Sequence, residues 1–248
     1  VHRVLYGSGD APQHLSERAP GSEWVTVRDV ESKWPGLRIS IESSWGTVTL
    51  STSVLGEFNA FNLIPAFALL AGKAGDLDEC KRCIEQVKPV SGRMEWIAGA
   101  TAQPKVVVDY AHTPQALEAV LTALRKYTDG RLICVFGAGG ERDLGKRPLM
   151  GAAAERLADL VVVTDDNPRS ESPETIVADI LSGTGTPDAI QVEHDRTRAI
   201  ELAITSADAG DIVLVAGKGH ESDQDFGDQI IEHDDRLVAA GLLAGAAS

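Results

Sequence analysis

Short, largely apolar segments recur through the second half of the chain, separated by amphipathic stretches. Five of them have the length of buried strands: residues 106–109, 132–136, 160–164, 189–192 and 212–216. The stretches between them carry apolar residues at helical spacing, as at Leu117 and Leu121. We expect helices near Pro114, Leu149, Pro173, Arg196 and Asp235. Strands alternating with helices in this way predict an α/β fold with a mostly parallel sheet covered on both faces.

The first 90 residues have a different pattern. Alternating polar and apolar positions over residues 37–42 and 47–53 predict antiparallel strands, and Pro35-Gly36 and Trp45-Gly46 predict the turns before them. A long apolar helix is expected after these strands, followed by a second helix. The segment Lys88–Arg93 has the Pro, Ser and Gly content of a linker. We therefore predict two domains, residues 1–90 and 91–248, with a hinge between them.

The charge balance argues against several classes of partner. The 248 residues carry a net charge of −14 without a long basic run, which argues against binding to nucleic acid or to an anionic membrane surface. No apolar run reaches the roughly 18 residues that span a bilayer. The first residues form neither a signal nor a transit peptide. The chain starts at Val1 rather than at an initiator Met, so we expect it to begin inside a longer protein. Any anion site must be a local cluster of Arg and Lys.

The cysteines indicate a compartment rather than a metal site. Three cysteines in a chain of this length favour a reducing environment, so we expect a cytoplasmic location. Cys80 and Cys83 form a CxxC pair, but a zinc site would need a second pair or histidine partners. We interpret them as ordinary thiols of the second helix and assign no metal ligand in this chain.

Polar loops follow four of the predicted parallel strands: DYAHTP, GAGGERD, DDNPRSE and GKGHE. In sheets of this kind ligands bind beyond the carboxyl ends of the strands, so these loops predict one site. Its cations would be Arg142, Lys146, Arg147, Arg169 and Lys218. Its carboxylates would be Asp109, Asp143, Asp165, Asp166 and Glu221, with His112, His220 and Asn167 beside them. Arginine side chains on separate loops suit a zwitterion with more than one carboxylate. Glu221 would accept a hydrogen bond from the ammonium group of that ligand.

Two of these features have competing interpretations. Gly137 and Gly139 resemble the start of a dinucleotide-binding fingerprint, but Arg142 stands where its third glycine belongs, which disfavours a nicotinamide enzyme. His112 precedes a helix cap, so a purely structural role is an alternative to a role in the site. Arg156 and Arg198 are expected to be solvated residues on helix faces.

Five strings in register carry a family resemblance: SGRMEW, VVVDYAHTPQALE, VFGAGGERDLGKRPLMG, VVVTDDNPRSESP and VLVAGKGHE. With SSWG and LGEFNAFN upstream, they resemble the Mur ligase family over residues 40–245, and within it the branch of tripeptide synthetases. The resemblance implies that residues 1–90 are the end of the central α/β ATPase domain. Residues 91–248 would be the carboxyl-terminal Rossmann-like domain that brings the incoming amino acid.

The resemblance also implies a reaction. ATP, with Mg²⁺, would convert the carboxylate of UDP-N-acetylmuramoyl-L-alanyl-D-glutamate to an acyl phosphate, which the amine of meso-diaminopimelate attacks. The family's phosphate-binding GTNGKT string does not occur in this sequence. We therefore expect the 248 residues alone to be inactive, the magnesium ligands to lie mostly outside them, and the protein to be a monomer.

Residue roles follow from the same resemblance. Asn62 would lie near the adenine, Arg93 near the phosphates, and Asp109 and His112 at the ribose side, which makes the last three the catalytic candidates. The amino-acid pocket would comprise Arg142, Asp166, Asn167, Pro168, Arg169, Gly217 and Glu221. The DNPR string marks meso-diaminopimelate rather than lysine, because Arg169 can bind its second carboxylate. A related ligase with another amino-acid substrate, and a non-catalytic amino-acid-binding module, are the alternatives.

Overall fold

The chain divides into two compact units, Val1–Pro89 and Val90–Ser248. The structure, a computed structural model, describes residues 4–8, 22–100 and 102–245. The division lies inside the predicted linker Lys88–Arg93 and one residue before the predicted domain boundary. The assignment of the first unit to a central ATPase domain stays a prediction.

The first unit contains a four-stranded sheet, ordered β1-β2-β3-β4. These strands are β1 (Val4–Ser8), β2 (Glu23–Lys33), β3 (Gly36–Ser43) and β4 (Gly46–Thr52). The antiparallel pairing predicted for residues 37–42 and 47–53 is confirmed by β3 and β4. The expectation of antiparallel strands does not extend to β1, which pairs in parallel with β2.

Two helices complete the first unit, α1 (Glu57–Ala74) and α2 (Leu77–Glu85). Apolar residues of the sheet and of α1, such as Ile39, Leu50 and Phe67, are fully buried. Asp76 caps α2 by accepting from the backbone amides of the first turn. The CxxC pair lies in α2, where Cys80 is buried and Cys83 is exposed.

The second unit is built on a six-stranded sheet, ordered β5-β6-β10-β7-β8-β9. Its strands are β5 (Glu95–Ile97), β6 (Lys105–Asp109), β7 (Leu132–Phe136), β8 (Leu160–Val163), β9 (Gln191–Val192) and β10 (Ile212–Ala216). All neighbours are parallel except β5 and β6, so the predicted mostly parallel α/β fold is confirmed. Because β10 lies between β6 and β7, the chain order reverses there, which is where ligands bind in open α/β sheets.

Helices cover both faces of this sheet, as its apolar strands require. They are α3 (Pro114–Arg125), α4 (Lys146–Leu157), α5 (Pro173–Leu181), α6 (Arg196–Ser206) and α7 (Asp235–Gly245). Helices α6 and α7 pack on one face through a core that includes Val106, Val135, Ile200 and Leu243. Helix α4 packs between α3 and α5.

Two details differ from the sequence prediction. The strand expected over residues 189–192 is confined to β9, because a 3₁₀ turn occupies Pro187–Ala189. After β10 a short hairpin, β11 (Asp223–Asp225) and β12 (Ile230–Glu232), was not predicted.

Candidate functional site

A cavity of about 460 Å³ opens at the carboxyl ends of β6, β7, β8 and β10. The loops after these strands supply the lining residues Tyr110, His112, Thr113, Gly137, Gly139, Arg142, Asp143, Lys146, Asp166, Asn167, Arg169, Gly217 and Glu221. Nine sequence-predicted site residues are thus brought together: His112, Arg142, Asp143, Lys146, Asp166, Asn167, Arg169, Gly217 and Glu221. The lining does not include the predicted residues Arg93, Asp109, Arg147, Asp165, Pro168, Lys218 and His220.

Backbone-to-backbone packing of two loops shapes the cavity. The Gly140 amide donates to the Asn167 carbonyl oxygen at 2.9 Å, which joins the GAGG loop to the DNPR loop. A Cβ atom at Gly137 would clash with the Thr164 carbonyl, and one at Gly140 with the Pro168 carbonyl. Only glycine permits this close approach of the two backbones. Loop packing therefore explains these glycines without a bound dinucleotide.

One wall of the cavity is a network of polar side chains. Lys218 is fully buried, and its Nζ lies 3.0 Å from Asn167 Oδ1 and 3.1 Å from Glu221 Oε2. Asn167 Nδ2 donates to the same Glu221 oxygen at 3.0 Å. Burial and the neighbouring Glu221 carboxylate raise the pKa of Tyr110. This wall therefore presents a tightly held carboxylate to the cavity.

A second carboxylate, that of Asp166, faces the cavity without such support. Its residue is only 8% exposed, and within the described part of the chain its carboxylate oxygens accept no hydrogen bond. Gly217 has φ of 116° and comes so close that a Cβ there would lie 2.6 Å from Asp166 Oδ2. A buried carboxylate without donors favours a cationic ligand group.

Three cations line the cavity: Arg142, Lys146 and Arg169. Arg142 is exposed, and its guanidinium has no partner among residues 22–100 and 102–245. Lys146 Nζ donates to the His112 carbonyl oxygen at 2.9 Å. Burial lowers the pKa of Lys146, although nearby Asp166 and Asp143 oppose that shift.

The Arg169 side chain is partly engaged by its surroundings. Its Nη1 donates to the Gly140 carbonyl oxygen at 2.7 Å, and its Nε lies 3.7 Å from Asp225 Oδ2. The residue has a positive φ of 56°, held by its amide donating to the Asp225 carbonyl at 2.9 Å. Nη2 has no hydrogen-bond partner in the described chain, so one edge of the guanidinium is available to a ligand.

Arg147 is not a cation of the cavity, contrary to the sequence prediction. It is fully buried, and it pairs with Asp179 and Glu171 at 2.8 Å each. Its Nη2 also donates to the Gly139 carbonyl. As the second residue of α4 it points into the protein, where it joins the GAGG loop to α5 and to the loop before it.

Arg93, Tyr110, His112 and His220 form an aromatic cluster beside the cavity. The Arg93 guanidinium carbon lies 4.4 Å from the centre of the Tyr110 ring, a cation–π contact. The rings of His112 and His220 lie 4.6 and 5.5 Å from the same ring. His112 Nδ1 is 2.8 Å from the Tyr110 carbonyl oxygen, which can only accept, so Nε2 is left available.

Asp109 lies behind this cluster, at the end of β6. Its two carboxylate oxygens accept from the amides of Met94 and Ala111 at 2.7 and 2.8 Å. Burial raises the pKa of Asp109 despite these amides and the nearby Arg93. The carboxylate therefore fixes the backbone on either side of the cluster. Its predicted catalytic role stays a prediction.

Asn62 belongs to the first unit and lies on α1. It is exposed, and its Nδ2 donates to Asn59 Oδ1 at 2.9 Å. Its predicted role near adenine stays a prediction.

A buried ion pair supports the ends of β8 and β10. Arg196 binds Asp235 through Nε and Nη2 at 2.8 Å each, and both side chains are fully buried. The same guanidinium donates to the carbonyls of Asp165 and Ala216, the residues just before Asp166 and Gly217. Asp165, expected to face the site, instead accepts a hydrogen bond from His194 Nδ1 at 2.8 Å.

Sequence reasoning did not single out Tyr110, Arg196 or Asp235. Tyr110 stands inside the quoted DYAHTP string, so its position was a usable signal. Arg196 and Asp235 begin two helices far apart in sequence, and nothing in the pattern indicates that they pair.

Among the residues that the structure describes, no group of three or more His, Cys, Asp or Glu side chains could hold a metal ion. Within the same ranges, no helix has the length and apolar character needed to cross a membrane.

Comparison with known proteins identifies relatives of this chain. Residues 92–219 match the family model described as Mur ligase, glutamate ligase domain. The chain is 45% identical to UDP-N-acetylmuramoyl-L-alanyl-D-glutamate--2,6-diaminopimelate ligase of Xanthomonas campestris pv. campestris (strain 8004), across 97% of this chain and 49% of the relative.

Solved structures also resemble this chain over nearly its whole length. A UDP-N-acetylmuramoyl-L-alanyl-D-glutamate--2,6-diaminopimelate ligase superposes with a TM-score of 0.75 at 34% identity, over 99% of this chain and 54% of its own. Folylpolyglutamate synthase of Mycobacterium tuberculosis, complexed with ADP and AMPPCP, shares the fold with a TM-score of 0.63 at 21% identity, over 98% and 55%. The chain spans about half the length of the relatives it matches.

Proposed function

The chain belongs to the Mur ligase family, and we propose that it provides the amino-acid-binding part of an ATP-dependent ligase for peptidoglycan precursors. The amino acid is meso-diaminopimelate, and the acceptor is UDP-N-acetylmuramoyl-L-alanyl-D-glutamate. The 45% identity to a ligase bearing that name supports the proposal. We infer a cytoplasmic location and a monomer.

The observation that carries the proposal is the arrangement of charges in the cavity. Arg142 and Arg169 stand on separate loops, and the carboxylates of Asp166 and Glu221 face the same space. Diaminopimelate has a carboxylate and an ammonium at each end of a short chain. The two arginines would bind carboxylates, and Asp166 with Glu221 would hold an ammonium.

In amide-bond formation of this kind the protein would position the reactants and neutralise their charge. A carboxylate resists nucleophiles, so ATP would first convert it to an acyl phosphate. The free amine of diaminopimelate would then form the amide bond as phosphate leaves. Residues of the cavity would hold the far end of diaminopimelate and so direct the near amine towards the acyl phosphate.

The nucleotide side of the reaction is assigned to the aromatic cluster. We propose that Arg93 approaches the phosphates and that His112 contacts the nucleotide through Nε2, while Asp109 orients their backbone. Asn62 would contact the adenine. Magnesium would neutralise the phosphates, and no metal ligand is assigned to this chain.

Calorimetry with the 248-residue chain tests the binding half of this proposal. We expect meso-diaminopimelate to bind at least about ten-fold more tightly than L-lysine, which lacks the second carboxylate, because an arginine–carboxylate contact would be lost. Equal affinities would favour a related ligase with another amino acid. No binding of either would refute the proposal.

A hybrid protein tests the ligase half. The part of the Xanthomonas relative that this chain does not cover is fused to it, and folding is checked by circular dichroism. ATP-dependent incorporation of labelled meso-diaminopimelate into the UDP-linked dipeptide is expected. A folded hybrid that binds diaminopimelate without incorporating it would instead support a non-catalytic binding module.

A further inference from the structure

Lys218 is a fully buried cation behind the cavity wall, and the proposed function gives it no role. It follows β10 directly and is not among the residues that line the cavity. Its Nζ reaches two side chains that do line it, Asn167 Oδ1 at 3.0 Å and Glu221 Oε2 at 3.1 Å. A buried lysine ammonium is costly unless it is paired, so this placement demands both acceptors.

The first consequence concerns the Asn167 amide. Its Oδ1 accepts from Lys218 Nζ and from the Asp225 backbone amide at 3.0 Å each. An asparagine side chain is nearly symmetric in shape, so only its donors and acceptors decide which end faces which way. Two donors on Oδ1 fix the orientation and turn the NH₂ group towards Glu221, to which it donates at 3.0 Å.

The second consequence concerns Glu221. One oxygen, Oε2, takes the hydrogen bonds of both Lys218 and Asn167. The carboxylate is thereby held in one rotamer at the cavity wall.

We propose that Lys218 is a positioning residue of the amino-acid pocket, which sets the orientation of the Asn167 amide and of the Glu221 carboxylate. This inference rests on the proposed function, because meso-diaminopimelate is the ligand whose ammonium and carboxylate the oriented pair would meet. Lys218 itself touches no ligand and acts through its two partners.

A double-mutant cycle tests the proposal by calorimetry with meso-diaminopimelate. Lys218→Met should weaken binding by about ten-fold, within the range of couplings between contacting residues. In the Glu221→Gln background the same change should weaken binding by less than about three-fold, because the group that Lys218 orients is already altered. Equal losses in both backgrounds would show that Lys218 does not act through Glu221.

A control variant separates this effect from a general loss of stability. Arg131→Met removes another ion pair of the second unit, in which Arg131 Nε donates to the buried carboxylate of Asp211 at 2.9 Å. These residues immediately precede β7 and β10, at the opposite ends of the strands from the cavity. Arg131→Met should lower the melting temperature without changing the dissociation constant of the folded protein.

NMR of the Asn167 side-chain amide tests the proposal without a ligand. In the free chain the Nδ2 protons of Asn167, identified with an Asn167→Ala variant, should give two separate and slowly exchanging NMR signals. Lys218→Met should broaden or shift them. Unchanged signals would overturn the positioning role. If Lys218→Met does not fold, Lys218→Gln serves instead, because its side chain is shorter and lacks the ammonium that donates to both Asn167 and Glu221. Affinity equal to that of the unmodified chain would overturn the proposal.

The two proposals fail in different ways. If the unmodified chain does not bind meso-diaminopimelate, the proposed function fails, while the Asn167 signals still decide whether Lys218 orients the amide. If the chain binds but the cycle shows no coupling, only the role of Lys218 fails.

Discussion

Arg169 has two tasks at the scale of single residues. Its Nη1 holds the Gly140 carbonyl, while Nη2 has no partner within the described residues. Arg169→Ala should therefore weaken meso-diaminopimelate binding by about 30-fold or more, since a buried charged contact contributes about 2–5 kcal/mol. Arg169→Lys keeps the charge but loses the planar fork, so it should restore only part of the affinity. Calorimetry on the folded variants measures both.

Arg156→Ala is the matched control for this prediction. Arg156 is also an arginine of the second unit, but its side chain is 57% exposed and pairs with Glu118 on a helix surface. Its removal should leave the dissociation constant unchanged. Similar losses for Arg156→Ala and Arg169→Ala would remove the reason to assign Arg169 to the pocket.

Residue types in the strand-end loops were sufficient to predict which loops form the cavity. Guanidinium, amide and carboxylate side chains follow parallel strands at one edge of the sheet. This placement was enough to select Arg142, Asn167, Arg169 and Glu221. The direction of a side chain could not be predicted in this way. Arg147 follows Lys146 directly, yet it is fully buried while its neighbour lines the cavity. That difference depends on how α4 is rotated about its axis relative to α5, and the sequence of the loop does not specify this rotation.

At the scale of elements, the contact between the GAGG and DNPR loops depends on glycine. A methyl group at Gly140 would clash with the Pro168 carbonyl, and backbone cannot move aside as a flexible side chain can. Gly140→Ala should therefore cost about 1–3 kcal/mol of unfolding free energy. It should also weaken diaminopimelate binding, because the two loops carry Arg142 and Arg169. Urea unfolding and calorimetry check the two effects.

Gly210→Ala provides the comparison. A Cβ atom there would meet nothing within 4 Å, so neither stability nor binding should fall. If Gly140→Ala behaves like Gly210→Ala, the loops do not pack as closely as described.

The Arg196–Asp235 pair joins α6 to α7 behind the cavity. Asp235→Asn would leave a fully buried guanidinium without its carboxylate, and should cost about 3–5 kcal/mol of unfolding free energy. Burial alone would raise the pKa of Asp235, but the adjacent Arg196 guanidinium holds this pKa well below its ordinary value of 3.8. The carboxylate's contribution is therefore complete above about pH 4 and is lost as the pH falls.

Urea unfolding from pH 3 to pH 7 tests this pair. The difference between the unmodified chain and Asp235→Asn should be largest near neutral pH and should shrink below about pH 4. Glu118→Gln, which disrupts an exposed pair, is the control and should have little effect at any pH. A difference that does not change with pH would argue against an ionised Asp235 as the source of the stability.

Long apolar strands and capped helices were predictable because their patterns repeat over many residues. The helices expected near Pro114 and Pro173 are α3 and α5, each with proline at its start, and Thr113 and Ser172 cap them. Short elements carry too little pattern to be predicted. The hairpin of β11 and β12 has three residues in each strand, mostly polar or exposed. Its contacts with the DNPR loop, such as the Asp225 carbonyl that accepts from the Arg169 amide, are visible only in the structure.

At the scale of the whole molecule, every residue that lines the cavity belongs to the unit Val90–Ser248. The apolar core of that unit, from Val106 to Leu243, also lies entirely within it. A domain with its own core and its own site is expected to fold and bind independently. Residues 90–248 expressed alone should therefore unfold cooperatively on heating, and their dissociation constant for meso-diaminopimelate should lie within about three-fold of that of the whole chain. Circular dichroism and calorimetry measure the two quantities. A folded unit that binds far more weakly than the whole chain would mean that residues of the first unit take part in amino-acid binding, and the pocket would have to be redrawn to include them.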